Sequence, residues 1–247
     1  AYEIGVRLVG SEMCIRDRRK RLHASARRRN IAEMAQLILG SSSPRRKEIL
    51  RKIDLVFDIV PSSVYEDYQN GLKPPQMAEY WAVEKARNVS LLHPAKIVIG
   101  ADTIVVLDGA ILGKPADTDD ARQMLTSLSG KSHTVYTGVA LRCDSMGAEE
   151  SFVSATKVTF YNLKEAAIDR YVASGDPMDK AGAYGIQTAG RELVASIRGC
   201  YLNIVGLPMR LLCSMLKLET AYTCPCAKHE LQTSASGCGL KDDKAAD

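Results

Sequence analysis

Asp108-Gly109, set between the apolar runs at 103–107 and 110–112, limits the fold more than any other feature of the chain. Aspartate and glycine tolerate the left-handed backbone of a two-residue turn, so the flanking runs are expected to pair as an antiparallel hairpin. The chain around this hairpin alternates short apolar strands with helical spacings. Strands are predicted at 36–39, 55–60 and 96–101, the last ending on Asp102. Helices are predicted from Pro44 to about Lys52, where serines and a first-position proline mark the entry, and over 76–92, with Met77, Trp81 and Val89 among the apolar positions. Alternation alone would give a parallel sheet; a hairpin inside it makes the sheet mixed and the fold class α/β.

Later segments extend the pattern. A helix over 117–128 has acids in its first turn and Gly130 just past its end. Two β-rich stretches follow at 134–142 and 152–161, then a helix at 164–173, a glycine-rich segment over 174–190, a strand at 193–197 and a closing helix at 208–217. The length of 247 residues fits one large domain or a compact two-lobed one, and suffices for a core without disulfide or metal staples.

Charge divides the chain. Residues 1–33 hold nine Lys/Arg against four Asp/Glu, a local +5 that leaves about −1 for the rest of a chain whose net charge is +4. The basic excess therefore lies in one terminal run, which weighs against nucleic-acid binding by a folded face. This leader lacks periodicity and is expected to lie outside the fold. The stretch 7–18 resembles translated sequencing-adapter sequence, with an Arg-rich transit peptide as the alternative and Met34 as an attractive start. Residues 34–217 are expected to hold the fold, and the polar residues 218–247 a disordered tail. No apolar run is long enough to span a membrane. Seven irregularly spaced cysteines imply no disulfide framework and suit a reducing, cytoplasmic setting. Cys224-Pro225-Cys226, with His229 and Cys238, lacks zinc-site spacing.

Several segments carry chemistry. Ser41-Ser42-Ser43-Pro44-Arg45-Arg46 leads from a strand into a helix N-terminus, where backbone N–H groups, the helix dipole and guanidinium forks favour a polyphosphate. An ordinary capped helix with a basic face would read the same. Asp102 at a strand end can orient water or hold Mg²⁺, and Glu66 and Asp67 in the preceding polar loop could supply a second ligand. Lys85, Lys114 and Lys180 could neutralise phosphate charge or lie on the surface. There is no P-loop, nucleophile elbow or zinc-protease helix.

The order of these blocks carries a resemblance. Ser42-Ser43-Pro44-Arg45-Arg46, Glu84-Lys85-Ala86, Gly100-Ala101-Asp102-Thr103, Gly113-Lys114-Pro115, the stretch 129–139, Asp179-Lys180-Ala181-Gly182-Ala183-Tyr184-Gly185-Ile186-Gln187 and Asn203-Ile204-Val205-Gly206-Leu207-Pro208 together resemble the Maf family of nucleotide pyrophosphatases, over about residues 34–217. The resemblance implies an elongated, two-lobed mixed-sheet fold of the type shared with inosine-triphosphate pyrophosphatases, with the site between the lobes. It implies hydrolysis of a nucleoside triphosphate to the monophosphate and pyrophosphate, with Mg²⁺ or Mn²⁺ as cofactor and a second copy of the chain, as a homodimer, as a candidate partner. By the same resemblance Asp102 activates water or binds the metal with Glu66, Lys85 and Lys114 contact phosphates, Arg45 and Arg46 hold the triphosphate, and Ser42, Thr103, Lys180 and Gln187 complete the substrate set. Ala101-Asp102-Thr103 with Gln187 resembles the dTTP/UTP branch. The family's Asp-Glu loop pair appears here as Tyr65-Glu66-Asp67, which leaves Glu66 and Asp67 as alternatives, Glu66 being favoured by its offset from Pro61-Ser62. Its Ser-Gly-Glu-Pro appears as Ser174-Gly175-Asp176-Pro177. A nucleotide-binding regulator of cell division, with little catalysis, is the other function the resemblance implies.

Overall fold

In chain order the strands are β1 (Leu8–Val9), β2 (Leu37–Leu39), β3 (Phe57–Ile59), β4 (Ile97–Leu107), β5 (Ala110–Leu112), β6 (Ser132–Cys143), β7 (Ala148–Phe160) and β8 (Val194–Arg198). The helices are α1 (Pro44–Arg51), α2 (Pro74–Ser90), α3 (Thr118–Leu128), α4 (Glu165–Ala173), α5 (Tyr201–Val205) and α6 (Met209–Met215). The structure is a computed structural model that describes residues 8–9, 36–53, 55–68 and 71–216. Expectations for the rest of the leader, for residues 218–247 and for Cys224, Cys226, His229 and Cys238 lie outside the described residues.

The sheet is mixed, in the order β1-β7-β6-β4-β2-β3, with β5 on β4 and β8 on β7. The strands β2, β3 and β4 run parallel, while β4, β6 and β7 are antiparallel neighbours. Asp108 and Gly109 take positive φ values of 50° and 86° and close the β4–β5 hairpin, as a type I′-like turn requires. From the leader, Leu8–Val9 pairs with Val153 and Ser154 of β7.

The 11 residues of β4 span about 36 Å, long enough to serve two lobes. One edge of β4 pairs with β6 from Val98 to Val106. On the other edge β2 pairs with 97–99 and β5 with 105–107. Residues 100–104 have no strand partner on that edge among the described residues. This gap lies between the β2–β3 lobe and the β5 lobe, at the carboxyl end of β2, where open α/β sheets bind ligands. Asp102 and Thr103 sit inside it. Asp102 was expected at a strand end; it lies mid-strand, because β6 continues pairing where β2 stops. The end that the sequence suggested is the end of β2's pairing, not of β4.

Residues alternate faces along β4. Val98, Gly100, Asp102, Ile104 and Val106 face α2, where the apolar clusters contain Ala78, Ala82, Ala86 and Trp81. Ile97, Ile99, Ala101, Val105 and Leu107 face the larger core built by α1, α3, α4, α5 and α6. Fully buried side chains there, among them Leu50, Leu125, Leu202 and Leu212, each contribute roughly 1.5–3 kcal/mol relative to exposure. The five-residue α5 was not foreseen, being too short for a periodic signal.

Candidate active site

The site begins with how closely α2 approaches the sheet. Ala78, Ala82 and Ala86 recur every four residues and form one small-residue stripe along the helix. Opposite them stand Gly100 and Gly138. A Cβ on Gly138 would lie 2.1 Å from the Ala78 carbonyl oxygen, and one on Gly100 2.2 Å from that of Ala82. Helix backbone therefore rests directly on strand backbone. Gly138 is also the cross-strand partner of Asp102, so the carboxyl has no side chain opposite it.

This approach sets Lys85, beside the alanine stripe, over Asp102. The Lys85 ammonium lies 2.7 Å from Asp102 Oδ1 and 2.7 Å from Glu66 Oε1. Asp102 is 3 % exposed and Lys85 9 %. Glu66 comes from the loop between β3 and α2. That loop is fastened to α2 by Asn88, whose Oδ1 accepts from Ser62 Oγ, Ser63 N and Ser63 Oγ at 3.1–3.3 Å. Tyr68 from the same loop donates its hydroxyl to Glu66 and lies 3.4 Å from both Asp102 oxygens. Its ring meets Trp81 edge-on at 6.4 Å. Tyr68 carries no local signal of this role, because only the fold of the loop brings it there.

The two carboxyls are driven apart in acidity. Burial raises the pKa of Asp102, with the Glu66 charge adding to the rise and Lys85 opposing it. Burial also works against ionisation of Glu66, but Lys85, Tyr68 and Arg46 outweigh it and hold that carboxyl below the usual range. Two carboxylates separated in this way suit division of labour between a base and a permanent anion. Burial, together with the Asp102 and Glu66 charges, pushes the Tyr68 hydroxyl far above its ordinary value, so it remains a donor.

The other wall of the gap is the start of α1. Ser43 is its N-cap, and Pro44 occupies the first turn. Arg46, 9 % exposed, donates from Nε to Gly206 O at 2.9 Å, from Nη1 to Ser41 Oγ at 2.9 Å and from Nη2 to Thr103 Oγ1 at 3.1 Å. Three of its five N–H groups are thus fixed by protein, leaving one on each terminal nitrogen. Arg45 pairs with Asp179 at 3.1 Å, and Asp179 also accepts from Lys180 at 2.5 Å. Lys180 is buried and held further by Asp176, which receives hydrogen bonds from Tyr171 and Thr188.

The arrangement fits what whole-sequence comparison finds. The profile of the Maf-like protein family matches residues 36–219. The chain belongs to the Maf-like family. Similar proteins include the dTTP/UTP pyrophosphatase of Symbiobacterium thermophilum, 49% identical over 185 residues, covering 74% of this chain and 93% of that one. That of Pelotomaculum thermopropionicum is 45% identical over 184 residues, covering 74% and 96%. Among solved structures, a HAM1 protein from Coxiella burnetii aligns with a TM-score of 0.44 and 16% identity, over 74% of this chain and 99% of that one, too distant to bear on the chemistry.

Within this Maf-like chain the expected site residues fall into three groups. Asp102, Glu66 and Lys85 form one cluster, although Lys85 lies between the carboxyls rather than free to meet a phosphate. Thr103 joins Arg46 on the opposite face of β4, and Arg45 joins Lys180 through Asp179. Ser42, Lys114 and Gln187 are exposed, with no hydrogen bond or ion pair among the described residues. A hydrogen bond of 2.9 Å from Gly182 N to Gly113 O sets the Lys114 turn beside the glycine-rich segment.

No group of three or more His, Cys, Asp or Glu is arranged to hold a metal among the described residues. Mg²⁺ is usually held by one or two carboxylates together with substrate phosphates and water, and Asp102 with Glu66 supplies that pair of hard oxygen ligands. Lys85 stands 2.7 Å from one oxygen of each carboxyl, so such a cation would have to use their other oxygens, with a phosphate completing its shell. No helix among the described residues is long and apolar enough to cross a membrane, and Cys143 is a free thiol.

Proposed function

We propose that this protein hydrolyses dTTP and UTP to the nucleoside monophosphate and pyrophosphate. The observation that carries the reading is the Asp102–Lys85–Glu66 cluster, with Asp102 and Lys85 buried, beside the strand whose next residue, Thr103, meets Arg46 at a helix start suited to anions. A basic carboxylate and a cationic phosphate cradle then face one gap. The relatives that carry the name dTTP/UTP pyrophosphatase support the choice of substrate.

Asp102 is the base. Its raised pKa favours taking a proton from a water that attacks the α-phosphorus. Lys85 opposes that rise, favouring the ionised form of Asp102, and holds it against Glu66. The two free Arg46 N–H groups, with Arg45, Lys180 and Lys114, stabilise the charge that gathers on the departing pyrophosphate. Ser42 and the start of α1 would cradle phosphate oxygens, and Gln187 would contact the nucleoside. Mg²⁺ or Mn²⁺, held by Asp102 and Glu66, would supply Lewis-acid neutralisation of the phosphates. A cytoplasmic location accords with a nucleoside triphosphate substrate.

The test is pyrophosphate release across canonical and modified NTPs and dNTPs with Mg²⁺ or Mn²⁺. Release confined mainly to dTTP and UTP is expected. A folded protein that releases nothing from any nucleotide would overturn the reading and favour nucleotide binding without turnover.

A further inference from the structure

Thr103 stands next to Asp102 in sequence but on the other face of β4, toward the main core. Its cross-strand partner is Thr137, which is 0 % exposed. The two hydroxyls are 3.0 Å apart. Proton counting fixes the direction of this contact. A threonine hydroxyl has one proton. Thr137 lies 2.8 Å from the Asn203 carbonyl, which can only accept, so the Thr137 proton goes there. The proton between the threonines therefore comes from Thr103. Thr103 in turn accepts from Arg46 Nη2 at 3.1 Å. The chain runs one way: Arg46 to Thr103 to Thr137 to the Asn203 carbonyl.

The far end is firmly anchored. The Asn203 side chain is fully buried and donates to Val135 O and to Thr156 Oγ1, both at 3.0 Å, tying α5 to β6 and β7. Gly206, which closes α5 with φ 118°, presents its carbonyl to Arg46 Nε at 2.9 Å. A side chain at Gly206 would be strained by that φ, and its Cβ would lie 3.3 Å from Thr103 Oγ1 and 3.4 Å from Arg46 Nε. One helix end thus fixes the guanidinium twice, directly through Gly206 and through the two threonines.

We infer that Thr103 is a positioning residue: it orients the Arg46 guanidinium toward the triphosphate through the Thr103–Thr137–Asn203 hydrogen-bond chain and makes no donor contact to the nucleotide. Its only proton is committed to Thr137, so donating to a ligand would break a buried bond. Thr137 and Asn203 belong to the phosphate site for the same reason, although neither is exposed to substrate. The inference rests on the pyrophosphatase reading for the identity of the anion that Arg46 meets.

Thr103→Val, Thr137→Val, Thr103→Ser, Arg46→Lys and Arg46→Lys/Thr103→Val test it by calorimetric binding of inorganic triphosphate, alongside dTTP, UTP and dCTP turnover. Circular dichroism and thermal melting check that each variant is folded. Thr103→Val and Thr137→Val are each expected to weaken triphosphate binding and raise KM roughly tenfold, the scale of a lost hydrogen bond to a charged group. Thr103→Ser, which keeps the hydroxyl, is expected to stay within about twofold of the parent, and the preference among the three nucleotides to stay unchanged in every threonine variant. In the Arg46→Lys background, Thr103→Val should add less than about twofold, because the group it acts through is gone. A full-sized Thr103→Val effect in that background would overturn the inference. So would altered nucleotide preference in Thr103→Val with a silent Thr137→Val, since that pattern marks direct contact with the base. Wild-type protein that binds triphosphate without releasing pyrophosphate would sink the pyrophosphatase reading alone, and the binding data would still decide the role of Thr103. Folded wild-type protein that binds no triphosphate would overturn both.

Discussion

Replacing Lys85 with methionine keeps the length and most of the bulk of the side chain but removes the charge shared by two carboxylates. Lys85 and Asp102 have side chains only 11% and 4% exposed, so the pair is screened little by solvent. Removing one partner of a buried pair costs roughly 3–5 kcal/mol, because the other charge is left uncompensated. The Glu66 contact adds little, since that side chain is 32% exposed. The loss is a large fraction of a typical stability of about 5–15 kcal/mol, yet leaves a folded protein. It also depends on pH. Asp102 already has a folded-state pKa above its unfolded value, so its stability contribution is present at low pH and is lost as pH rises through the folded value. Lys85 opposes that rise; without it the folded pKa climbs further and the loss extends to higher pH. Urea unfolding of Lys85→Met between pH 4 and 8 should therefore show a deficit that grows with pH, and adding Asp102→Asn should recover much of it at pH 8. A deficit that is constant with pH, or absent, would refute the view that Lys85 neutralises a buried Asp102.

Other perturbations read out different contacts. Burial lowers His133 to about 4 from an ordinary value of 6.5, so the unfolded chain binds the extra proton first and stability should fall as pH drops from about 6.5 to 4, by roughly 3 kcal/mol. Chemical denaturation of His133→Phe should lose that component of the slope; an unchanged slope would assign it to other groups. Gly138→Ala places a methyl against the Ala78 carbonyl and should lower stability by about 1–3 kcal/mol while displacing Lys85, seen as a lower melting temperature and reduced kcat together. Asp179→Asn should change stability by less than about 1 kcal/mol, the pair with Arg45 being partly exposed, yet tighten triphosphate binding by freeing Arg45. Weaker binding on calorimetry would mean instead that Asp179 orients Arg45.

The mixed α/β class was legible because Asp108-Gly109 and the helical spacing of 76–92 are local signals, and the observed hairpin and α2 follow them closely. Asp102 was legible as a residue of interest but not in its setting. Its place in the middle of β4 depends on where β2 stops and β6 continues, which is a property of strand pairing rather than of local sequence. The role of Lys85 was hidden for a similar reason: only the contact of the alanine stripe with Gly100 and Gly138 brings it between two acids. Thr137 and Asn203 stood within the motif blocks but without a role, and Tyr68 without notice, because the partners that define their setting lie 66, 47 and 34 positions away in the chain. Asp179, which joins Arg45 to Lys180, was visible within its motif, yet its partner across the gap was not.

The most direct test of the central claim is to let the protein act on dTTP in ¹⁸O-labelled water and locate the label by mass spectrometry, with Asp102→Asn alongside. Wild-type protein should yield pyrophosphate and dTMP with ¹⁸O in the monophosphate, while Asp102→Asn binds dTTP and leaves it intact. Label in pyrophosphate, release of orthophosphate, or near-normal turnover by Asp102→Asn would contradict attack at the α-phosphorus by a water that Asp102 deprotonates.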